Sequence, residues 1–298
     1  MAGNSLTRRV VKRLLAPMLG EDAYSVLQAM AMGWDIRRGA WYEAELELLP
    51  LAVRPGETAI DIGANFGLYA YHLSRAVGAS GKVWSFEPIP FTARTFKLIQ
   101  RALGFRGNVE LVAKGCGEKA GHLAFTVPVM KTGAISAGLV HMGRNDDRPG
   151  KEKYAKFDTR EVVCDVVALD EFLANAAHAA PVSLIKCDIE GADLFAMRGA
   201  RRTLEKDHPT VIIEITPWYL EGFGLKVEDL TRFFEELGYC CYRYENGSPV
   251  GSYKKHATDP SRRKLIPTRA EDIYEDNWVF IHPERQDRFG GLLRGAPH

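Results

Sequence analysis

The stretch Thr58-Ala-Ile-Asp-Ile-Gly-Ala-Asn-Phe-Gly-Leu-Tyr-Ala70 decides the fold of this chain. It opens with a short apolar run, bounded by Pro55-Gly56 before it and Gly63 after it, which is typical of a strand buried on both faces. From Phe66 onward the apolar residues recur every three or four positions, which predicts one face of a helix. A strand, a glycine turn and a helix N-terminus together predict a cofactor crevice in a doubly wound sheet.

The spacing of the glycines narrows the choice of cofactor. The dinucleotide fingerprint is G-x-G-x-x-G, whereas this turn reads Gly63-x-x-x-Gly67, with Asp61 two positions before the first glycine. A carboxylate there would repel a pyrophosphate but suit a cationic or amino-bearing ligand. The alternative is a turn that serves only strand-to-helix packing.

Composition bounds the class of protein. With 298 residues, 46% of them hydrophobic, the chain can bury a large core as one α/β domain with appendages or as two small domains. A formal net charge of +1 gives no basic footprint for nucleic acid. The five cysteines form no C-x-x-C pair, which indicates reduced thiols in a cytoplasmic protein rather than a zinc or disulfide framework. No apolar run is long enough to span a bilayer.

A helical N-terminal extension is predicted over residues 1–54. Its first part alternates apolar and basic residues in the pattern of a basic amphipathic helix, with Arg8, Arg9, Lys12 and Arg13 beside Val10, Val11, Leu14, Leu15 and Met18. Such a helix packs on its own domain, packs on a partner subunit in a homodimer, or makes peripheral contact with an anionic membrane surface.

Alternating strands and helices over residues 55–284 predict an α/β fold with a doubly wound, mostly parallel, seven-stranded sheet. The last two strands, 239–244 and 277–282, are predicted to pair antiparallel. Two long polar stretches interrupt this domain, one at about 128–160, which is predicted to be a lid, and an insertion at about 247–276. Residues 285–298 are predicted to be a C-terminal tail.

The most specific stretch is Leu184-Ile-Lys-Cys-Asp-Ile-Glu-Gly-Ala-Asp-Leu-Phe-Ala-Met-Arg-Gly-Ala200. It resembles the K-x-D-x-E-G-x-E-x-x-x-L-x-G-A signature of the FkbM family of class I S-adenosylmethionine-dependent methyltransferases, whose fold is Rossmann-like. Other motifs of the family occur in order, namely Asp61-Ile-Gly-Ala-Asn-x-Gly67, Phe86-Glu-Pro-x-Pro90, Gly117-Glu118 with Gly121, Leu169-Asp-Glu-Phe172, Val211-Ile-Ile-Glu-Ile215 and Asn277-Trp-Val-Phe-Ile-His-Pro283. The chain departs from the pattern at Asp193, where glutamate is usual, and at Gly115, where alanine is common.

The resemblance implies S-adenosyl-L-methionine as cofactor and O-methylation of a hydroxyl as reaction. The acceptors it implies are sugars of glycolipids, polysaccharides or glycosylated metabolites, and polyketide-type natural products. Glu87, followed by Pro88, ends the second strand, where an acid accepts the ribose hydroxyls in related sites. The residues implied for the methionine part of the cofactor are Asp61, Gly63, Asn65, Phe66 and Gly67. Those implied beside the adenine are Gly117 and Glu118. The residue implied at the methyl position is Asp188.

Three carboxylates at strand ends are candidates for the catalytic base, since an aliphatic hydroxyl is a poor nucleophile. Asp188 and Glu190 follow the fourth strand and Glu214 ends the fifth, at the edge where ligands bind in such sheets. Glu190 could instead complement a helix dipole, and Lys186 could form a structural ion pair with Glu214. No histidine spacing supports zinc, and magnesium among these acids stays open.

Two surfaces could contact the acceptor. Thr216-Pro-Trp-Tyr219 and Phe223 offer aromatic faces for a sugar ring, unless they serve packing alone. The basic runs Lys254-Lys-His and Arg262-Arg-Lys264 could hold an anionic acceptor, or belong to a solvated insertion. Two other functions remain at this point, a nicotinamide-dependent oxidoreductase, which the glycine spacing disfavours, and a non-catalytic S-adenosylmethionine-binding or scaffold protein.

Overall fold

The structure, a computed structural model, describes residues 21–105, 107–129, 141–142, 158–176, 180–247 and 260–293. Its α-helices are α1 (Glu21–Arg38), α2 (Leu49–Ala52), α3 (Leu68–Ala76), α4 (Pro90–Ala102), α5 (Leu169–Asn175), α6 (Asp193–Arg198), α7 (Arg201–Asp207), α8 (Pro217–Glu221) and α9 (Val227–Glu236). Its strands are β1 (Thr58–Ile62), β2 (Lys82–Phe86), β3 (Val109–Val112), β4 (Gly115–Cys116), β5 (Gly121–Val129), β6 (His141–Met142), β7 (Asp158–Val167), β8 (Val182–Cys187), β9 (Thr210–Ile215), β10 (Cys240–Glu245), β11 (Lys264–Pro267) and β12 (Asp276–Ile281). Short 3-10 helices lie at Ala44–Glu47, Pro260–Arg262, Ala270–Asp272 and Pro283–Phe289.

The main sheet has the order β11-β10-β12-β9-β8-β1-β2-β3. From β9 to β3 neighbouring strands are parallel, and β12, β10 and β11 are added antiparallel. The predicted fold class is therefore confirmed, including the antiparallel pair near the end of the chain. Within the described residues the sheet has eight strands rather than seven, because β11 lies inside the stretch predicted as an insertion and extends the edge beside β10.

Both faces of this sheet are covered, as a mostly parallel sheet requires. Alternate residues of β1 belong to different core clusters, with Ala59 packed on the side of α3 and α4, and Ile60 packed on the side of α5, α6, α7 and α9. The period of two that alternates side chains across a strand thus builds a three-layer core.

A second sheet, in the order β4-β7-β5-β6, is built on a long antiparallel pair. β5 and β7 pair from Gly121 opposite Val166 to Val129 opposite Asp158, so both ends of the predicted lid at 128–160 are strand rather than loop. Residues 130–140 and 143–157, the rest of that prediction, lie outside the described residues.

The segment after β8 forms two short helices, α6 and α7. The two helices are separated by Gly199-Ala200, where the backbone passes close to the second sheet. A Cβ atom on Gly199 would lie 2.0 Å from the carbonyl oxygen of Gly117, so this approach requires glycine.

Both ends of the described chain pack against the domain. Tyr24 of α1 stacks on Phe91 of α4, and the short helix α2 carries the buried Leu49. Residues 285–293, predicted as part of a tail, belong to the fold, because Phe289 is fully buried and the Arg288 guanidinium donates two hydrogen bonds to the Glu57 carboxylate, of 2.6 and 2.9 Å. Residues 1–20, which contain the predicted basic helix, are outside the described residues. In the described part of the chain, no helix has the length and apolarity needed to cross a membrane.

Candidate functional site

The turn between β1 and α3 lies where the order of the sheet reverses. β1 is flanked by β2 on one side and β8 on the other, so successive connections leave it in opposite directions and open a crevice at the carboxyl ends of the strands. Gly63 has φ +78°, and a Cβ there would lie 2.0 Å from the carbonyl oxygen of Asp188. At Gly67, φ is +86° and a Cβ would lie 2.9 Å from the Phe96 ring. Both predicted glycines are thus required where two backbones, or a backbone and a ring, come together.

Glu87 is buried at the end of β2 and holds this turn. Its Oε2 accepts a hydrogen bond of 3.0 Å from the backbone N–H of Asn65, and its Oε1 accepts one of 2.9 Å from that of Ile89. Burial raises the pKa of Glu87 to about 7, against the effect of these two hydrogen bonds. Each carboxylate oxygen keeps a further lone pair, so the ribose role expected for Glu87 is compatible with its structural role.

Two buried side-chain oxygen atoms at this turn receive no hydrogen bond. Asp61 is 2% exposed and its Oδ2 has no hydrogen-bond partner, and the buried Oδ1 of Asn65 has none either. Burial, opposed by the charge of Lys186 and reinforced by that of Asp188, raises the pKa of Asp61 to about 7. Buried acceptors are normally satisfied. These oxygen atoms of Asp61 and Asn65 therefore fit a ligand that brings N–H donors and positive charge, as the amino group of S-adenosylmethionine does.

The two residues expected beside the adenine, Gly117 and Glu118, have partners outside this turn. Gly117 packs against Gly199, as described above, and the Glu118 carboxylate lies 3.8 Å from the Arg198 guanidinium. Glu118 and Arg198 line a separate surface cavity of about 420 Å³. Beyond Glu87 the chain instead places Gly115, where a Cβ would lie 3.8 Å from the Cβ of Pro88. We therefore expect Gly115, one of the two departures from the family pattern, to border the adenine.

Four polar residues share one face of the sheet near the carboxyl ends of its strands. Asp61 of β1 is opposite Lys186 of β8, and Glu214 of β9 is opposite Asn277 of β12. Their neighbours two positions away in each strand belong to the core cluster that contains α3 and α4. Period-two alternation therefore directs all four side chains to the side covered by α3 and the N-terminal extension.

Lys186 is the centre of this group. It is 1% exposed, and its Nζ donates a hydrogen bond of 3.0 Å to Oδ1 of Asn277 and lies 3.8 Å from Oδ2 of Asp188. Burial opposes the charge of Lys186, but Asp188, Glu43 and Glu214 outweigh it and raise its pKa above the usual range. The ion-pair partner of Lys186 is therefore Asp188 rather than the Glu214 that its position in the sequence suggested.

The N-terminal extension adds two acids that the sequence did not reveal. Glu43 accepts hydrogen bonds from the Tyr69 hydroxyl, at 2.8 Å, and from Nδ2 of Asn277, at 3.3 Å. Glu45 is buried beside it, 3.4 Å from the same Nδ2, and burial raises its pKa to about 8. Nothing in the local sequence marks these residues. The one available signal was Asn277, which with Asp276 begins a closing strand whose other residues are apolar.

Asp188 and Glu214 form a carboxylate pair at the mouth of this group. The side chain of Asp188 is 35% exposed, which leaves it open to the crevice. A hydrogen bond links it to Glu214, and the charge of Asp188, followed by burial, holds the pKa of Glu214 well above its ordinary value. Glu214 therefore stays protonated at neutral pH.

Glu190 occupies a strained turn rather than the start of a helix. Its φ is +55°, and α6 begins only at Asp193, so the helix-dipole interpretation of Glu190 is wrong. Asp193, the other departure from the family pattern, accepts hydrogen bonds from the backbone N–H groups of Gly191 and Ile189. Burial, then Asp188, raises the pKa of Glu190 to about 8, while a hydrogen bond with Tyr219 opposes the shift.

The expected acceptor-contacting residues divide into two groups. Tyr219 is buried against Gly191, where a Cβ would lie 2.6 Å from the Tyr219 carbonyl carbon, and Phe223 packs on Phe195. Trp218 is half-buried, and its indole N–H lies 3.4 Å from the Glu275 carboxylate, so it remains an acceptor candidate.

The described basic residues of the insertion are engaged within the molecule. Arg263 pairs with Glu47 at 2.8 Å, and Lys264 pairs with Glu245 at 3.0 Å. Residues 254–256 are outside the described residues. In the described part of the chain, three side chains have ligand atoms close enough together to hold a metal ion, namely His208, His282 and Glu284. His208 precedes β9 and His282 follows β12, so this group lies at the end of the sheet opposite to the crevice.

The comparisons with known proteins match this chain to methyltransferases. The methyltransferase FkbM domain matches residues 61–241, more than half of the chain. Methyltransferase 1 of Beauveria bassiana (strain ARSEF 2860) is 28% identical over 163 residues, 52% of this chain and 63% of that protein. Protein-L-isoaspartate O-methyltransferase 2 of Archaeoglobus fulgidus is 30% identical over 112 residues, 38% of this chain and 50% of that protein. The chain therefore spans less than two thirds of the length of either relative.

A solved structure with a similar name is also matched. The crystal structure of Methyltransferase FkbM from Methylobacillus flagellatus KT aligns with 93% of this chain and 59% of its own, with 17% sequence identity and a TM-score of 0.44. The family match begins at Asp61 and contains the crevice turn, Glu87, Asp188, Glu190 and Glu214. It confirms the resemblance that the sequence motifs indicated and, with it, S-adenosyl-L-methionine as cofactor. This chain belongs to the FkbM family of class I methyltransferases.

Proposed function

We propose that this protein transfers the methyl group of S-adenosylmethionine to a hydroxyl of its acceptor, with Asp188 as the general base. The observation that carries the proposal is the position of Asp188. It is the partly exposed carboxylate at the end of β8, its backbone touches Gly63 of the cofactor turn, and Lys186 lies 3.8 Å away. Following the family resemblance, we propose that the acceptor is a sugar or a polyketide-type natural product.

When bound, the cofactor supplies a methyl carbon that its positively charged sulfur has already activated. The remaining task of the protein is to align the acceptor oxygen and to remove its proton. A carboxylate at the end of β8 lies beside the turn that would hold the methionine part, so one crevice serves both needs.

The neighbours of Asp188 keep it in the form a base requires. Lys186 is held cationic by its surrounding acids and stabilises the negative charge of Asp188. Glu214 carries a proton and is linked to Asp188 by a hydrogen bond. We therefore propose that Glu214 positions Asp188 and that it does not itself accept the proton of the acceptor.

Charge favours a neutral or cationic acceptor. Glu190, Glu275 and Asp188 lie on the side of the crevice that carries Trp218, and Glu275 adds to the effects that raise the pKa of Glu190. An anionic acceptor would meet carboxylates on this side, whereas a sugar could pack on the indole face and donate hydroxyl hydrogen bonds.

The test is transfer of a tritiated methyl group from S-adenosylmethionine into a panel of glycan and polyketide acceptors. On an acceptor that is turned over, Asp188→Asn should lower kcat on the order of a hundredfold or more, with cofactor affinity little changed. Glu190→Gln should act mainly on KM if Glu190 contacts the acceptor. The matched control is Glu205→Gln, a 48% exposed carboxylate of α7, the helix whose last residue, Asp207, contacts the amino end of β8.

Three outcomes would contradict the proposal. Full turnover by Asp188→Asn would place the base elsewhere. Loss of folding in Asp188→Asn, seen as a lower melting temperature without cofactor, would make Asp188 the structural partner of Lys186. Cofactor binding without methyl transfer to any acceptor would favour the non-catalytic binding protein.

A further inference from the structure

Helix α1 carries an outer stripe of apolar residues that the domain does not cover. Val26, Met30 and Trp34 follow one another at four-residue spacing and are 47%, 69% and 54% exposed. At that spacing they lie along one line on the helix surface. In the described chain the other exposed large hydrophobic residues are single ones on α2, β5 and β7, so the outer stripe is a contiguous feature.

The opposite face of α1 explains why this helix is fixed. Tyr24, Ala29 and Ile36 are buried, and Gly33 lies close enough to Ile99 that a Cβ there would be 3.8 Å from its side chain. α1 is therefore held on α4 by one face and presents the outer stripe by the other, which makes the stripe a rigid surface.

The charges beside Trp34, at the C-terminal end of the outer stripe, are basic, whereas Glu21 and Asp22 stand at the other end of α1. Every exposed residue from 23 to 38 is either apolar or one of the two arginines Arg37 and Arg38. The Arg38 guanidinium lies over the Trp34 ring, 4.3 Å from its centre. The sequence before α1 adds Arg8, Arg9, Lys12 and Arg13 and has no acidic residue until Glu21.

We propose that the outer stripe of α1 docks on an anionic lipid membrane. A helix face with a Trp and aliphatic side chains, bordered by basic residues, is typical of segments that lie in the membrane interface, where apolar groups enter the acyl boundary and cations meet lipid phosphates. Tryptophan is suited to that position because its ring is apolar and its N–H is polar.

Two other occupants fit less well. A stable dimer needs about 800 Å² from each partner, and three partly exposed side chains supply well below that. Residues 1–20 folded back on the stripe would add their four cations to Arg37 and Arg38, and the acids of α1 nearest to them in sequence, Glu21 and Asp22, stand at the opposite end of the helix from these arginines.

Docking through α1 would also orient the crevice. Tyr24, near the start of α1, stacks on Phe91 at the start of α4, and α4 begins three residues after Glu87. Gly33, further along α1, lies beside Ile99 near the other end of α4. The N-terminal end of α1 is thus the end nearer the crevice. A lipid-linked acceptor would be presented from that side, although docking itself does not depend on the proposed methyl transfer.

The test is co-sedimentation of the full-length protein with vesicles of phosphatidylcholine alone or mixed with phosphatidylglycerol. We expect binding to the anionic vesicles, weaker binding at high salt, and a blue shift of the fluorescence that is lost in Trp34→Phe. Val26→Ser, Met30→Ser and Trp34→Ser together should weaken binding at least tenfold. Arg37→Gln and Arg38→Gln should each weaken it about fivefold, as expected for one basic residue near an anionic surface.

Matched controls remove the same chemistry elsewhere. Leu123→Ser with Val163→Ser deletes exposed apolar surface on β5 and β7, and Arg269→Gln deletes an arginine that is 84% exposed. All variants should keep the wild-type melting temperature, because the substituted side chains are exposed. Absence of binding to anionic vesicles, or binding that the triple serine variant retains, would overturn the proposal. So would a wild-type dimer that the triple variant converts to monomer, since the occupant would then be a second copy.

Discussion

At the scale of single residues, Glu87 has two roles that the sequence could not separate. Its position after β2 predicts contact with the ribose, and its two oxygens also accept the backbone N–H groups of Asn65 and Ile89. Glu87→Ala should therefore weaken cofactor binding by about 1.5–3 kcal/mol, the range for a hydrogen bond to a charged group.

The same substitution should also destabilise the protein without ligand. Two buried N–H groups would lose their acceptor, which costs about 1–3 kcal/mol for each group left unsatisfied. Urea unfolding of Glu87→Ala measures this loss, and titration calorimetry measures the loss of affinity. Unchanged stability with weakened binding would mean that the two N–H groups find other acceptors and that Glu87 serves the cofactor alone.

Protonation of Asp61 and Glu87 should make cofactor binding depend on pH. Burial raises both pKa values to about 7, so a large fraction of each carboxyl group is protonated below neutrality. A cationic ligand favours the ionised forms, so binding releases protons and the affinity should rise as pH increases from 6 to 8. Calorimetry in buffers of different ionisation enthalpy counts the protons. An affinity that stays constant across this range in wild type would contradict the account, and Asp61→Asn should reduce the dependence.

At the scale of elements, the junction of β1 with α3 depends on Gly63. A Cβ on Gly63 would lie 2.0 Å from the Asp188 carbonyl, whereas Gly104, also at positive φ, has nothing within 4 Å. Gly104→Ala should therefore lower the free energy of unfolding by about 1–2 kcal/mol, which is the cost of placing alanine in the left-handed conformation. Gly63→Ala should lower the free energy of unfolding clearly more, because the new Cβ would force the ends of β1 and β8 apart. The same displacement should abolish cofactor binding.

Urea unfolding of the two glycine variants, compared directly, is the measurement. Equal stabilities would mean that the ends of β1 and β8 adjust without cost and that Gly63 is present for its φ alone. Retained cofactor binding in Gly63→Ala would show that the turn does not contact the ligand.

The site residues of the N-terminal extension could not be predicted from the sequence. Helices were expected there, and α1, the 3-10 helix at Ala44–Glu47 and α2 are found, but Glu43 and Glu45 gave no sign of belonging to a site. Their importance comes from Asn277 and Tyr69, which are more than 20 residues away in the sequence. Periodicity and turn chemistry report neighbours along a chain, whereas contacts between distant elements need the assembled fold.

The strands and the crevice turn were predictable for the same reason. Ile60, Ile62 and the glycines around them are local signals, and the register of β1 with β8 then brings Asp61 opposite Lys186. The expectations for Gly117 and Glu118 depended on the path of the chain after β3, where the second sheet begins. Since no periodic signal in the sequence fixes that path, the adenine side was the least predictable part of the site.

At the scale of the whole molecule, the unliganded site carries an excess of buried acids over Lys186. Burial raises the pKa values of Asp61 and Glu87 to about 7 and those of Glu45 and Glu190 to about 8, against about 4 in an unfolded chain. Between about pH 4 and pH 8 the folded state therefore binds more protons than the unfolded state. This contribution to stability is therefore complete at low pH and is lost as pH rises through 7 to 8.

The free energy of unfolding without ligand should accordingly be lower at pH 8 than at pH 6. S-adenosylmethionine, as a cation, should raise the melting temperature more at pH 8 than at pH 6. Asp61→Asn should lessen the pH dependence, and the control Glu205→Gln, at an exposed carboxylate of α7, should leave it unchanged. Stability that increases from pH 6 to pH 8 would show that other groups dominate the titration.

The central claim is that the crevice between β1 and β8 holds S-adenosylmethionine by its carboxylates and bare backbone. Titration calorimetry of the full-length protein at pH 8 with S-adenosylmethionine, and separately with NAD, tests it most directly. The account predicts saturable binding of one S-adenosylmethionine per chain, no binding of NAD, weakened binding in Glu87→Ala and none in Gly63→Ala. Binding of NAD without binding of S-adenosylmethionine, or S-adenosylmethionine binding that both variants retain, would contradict it.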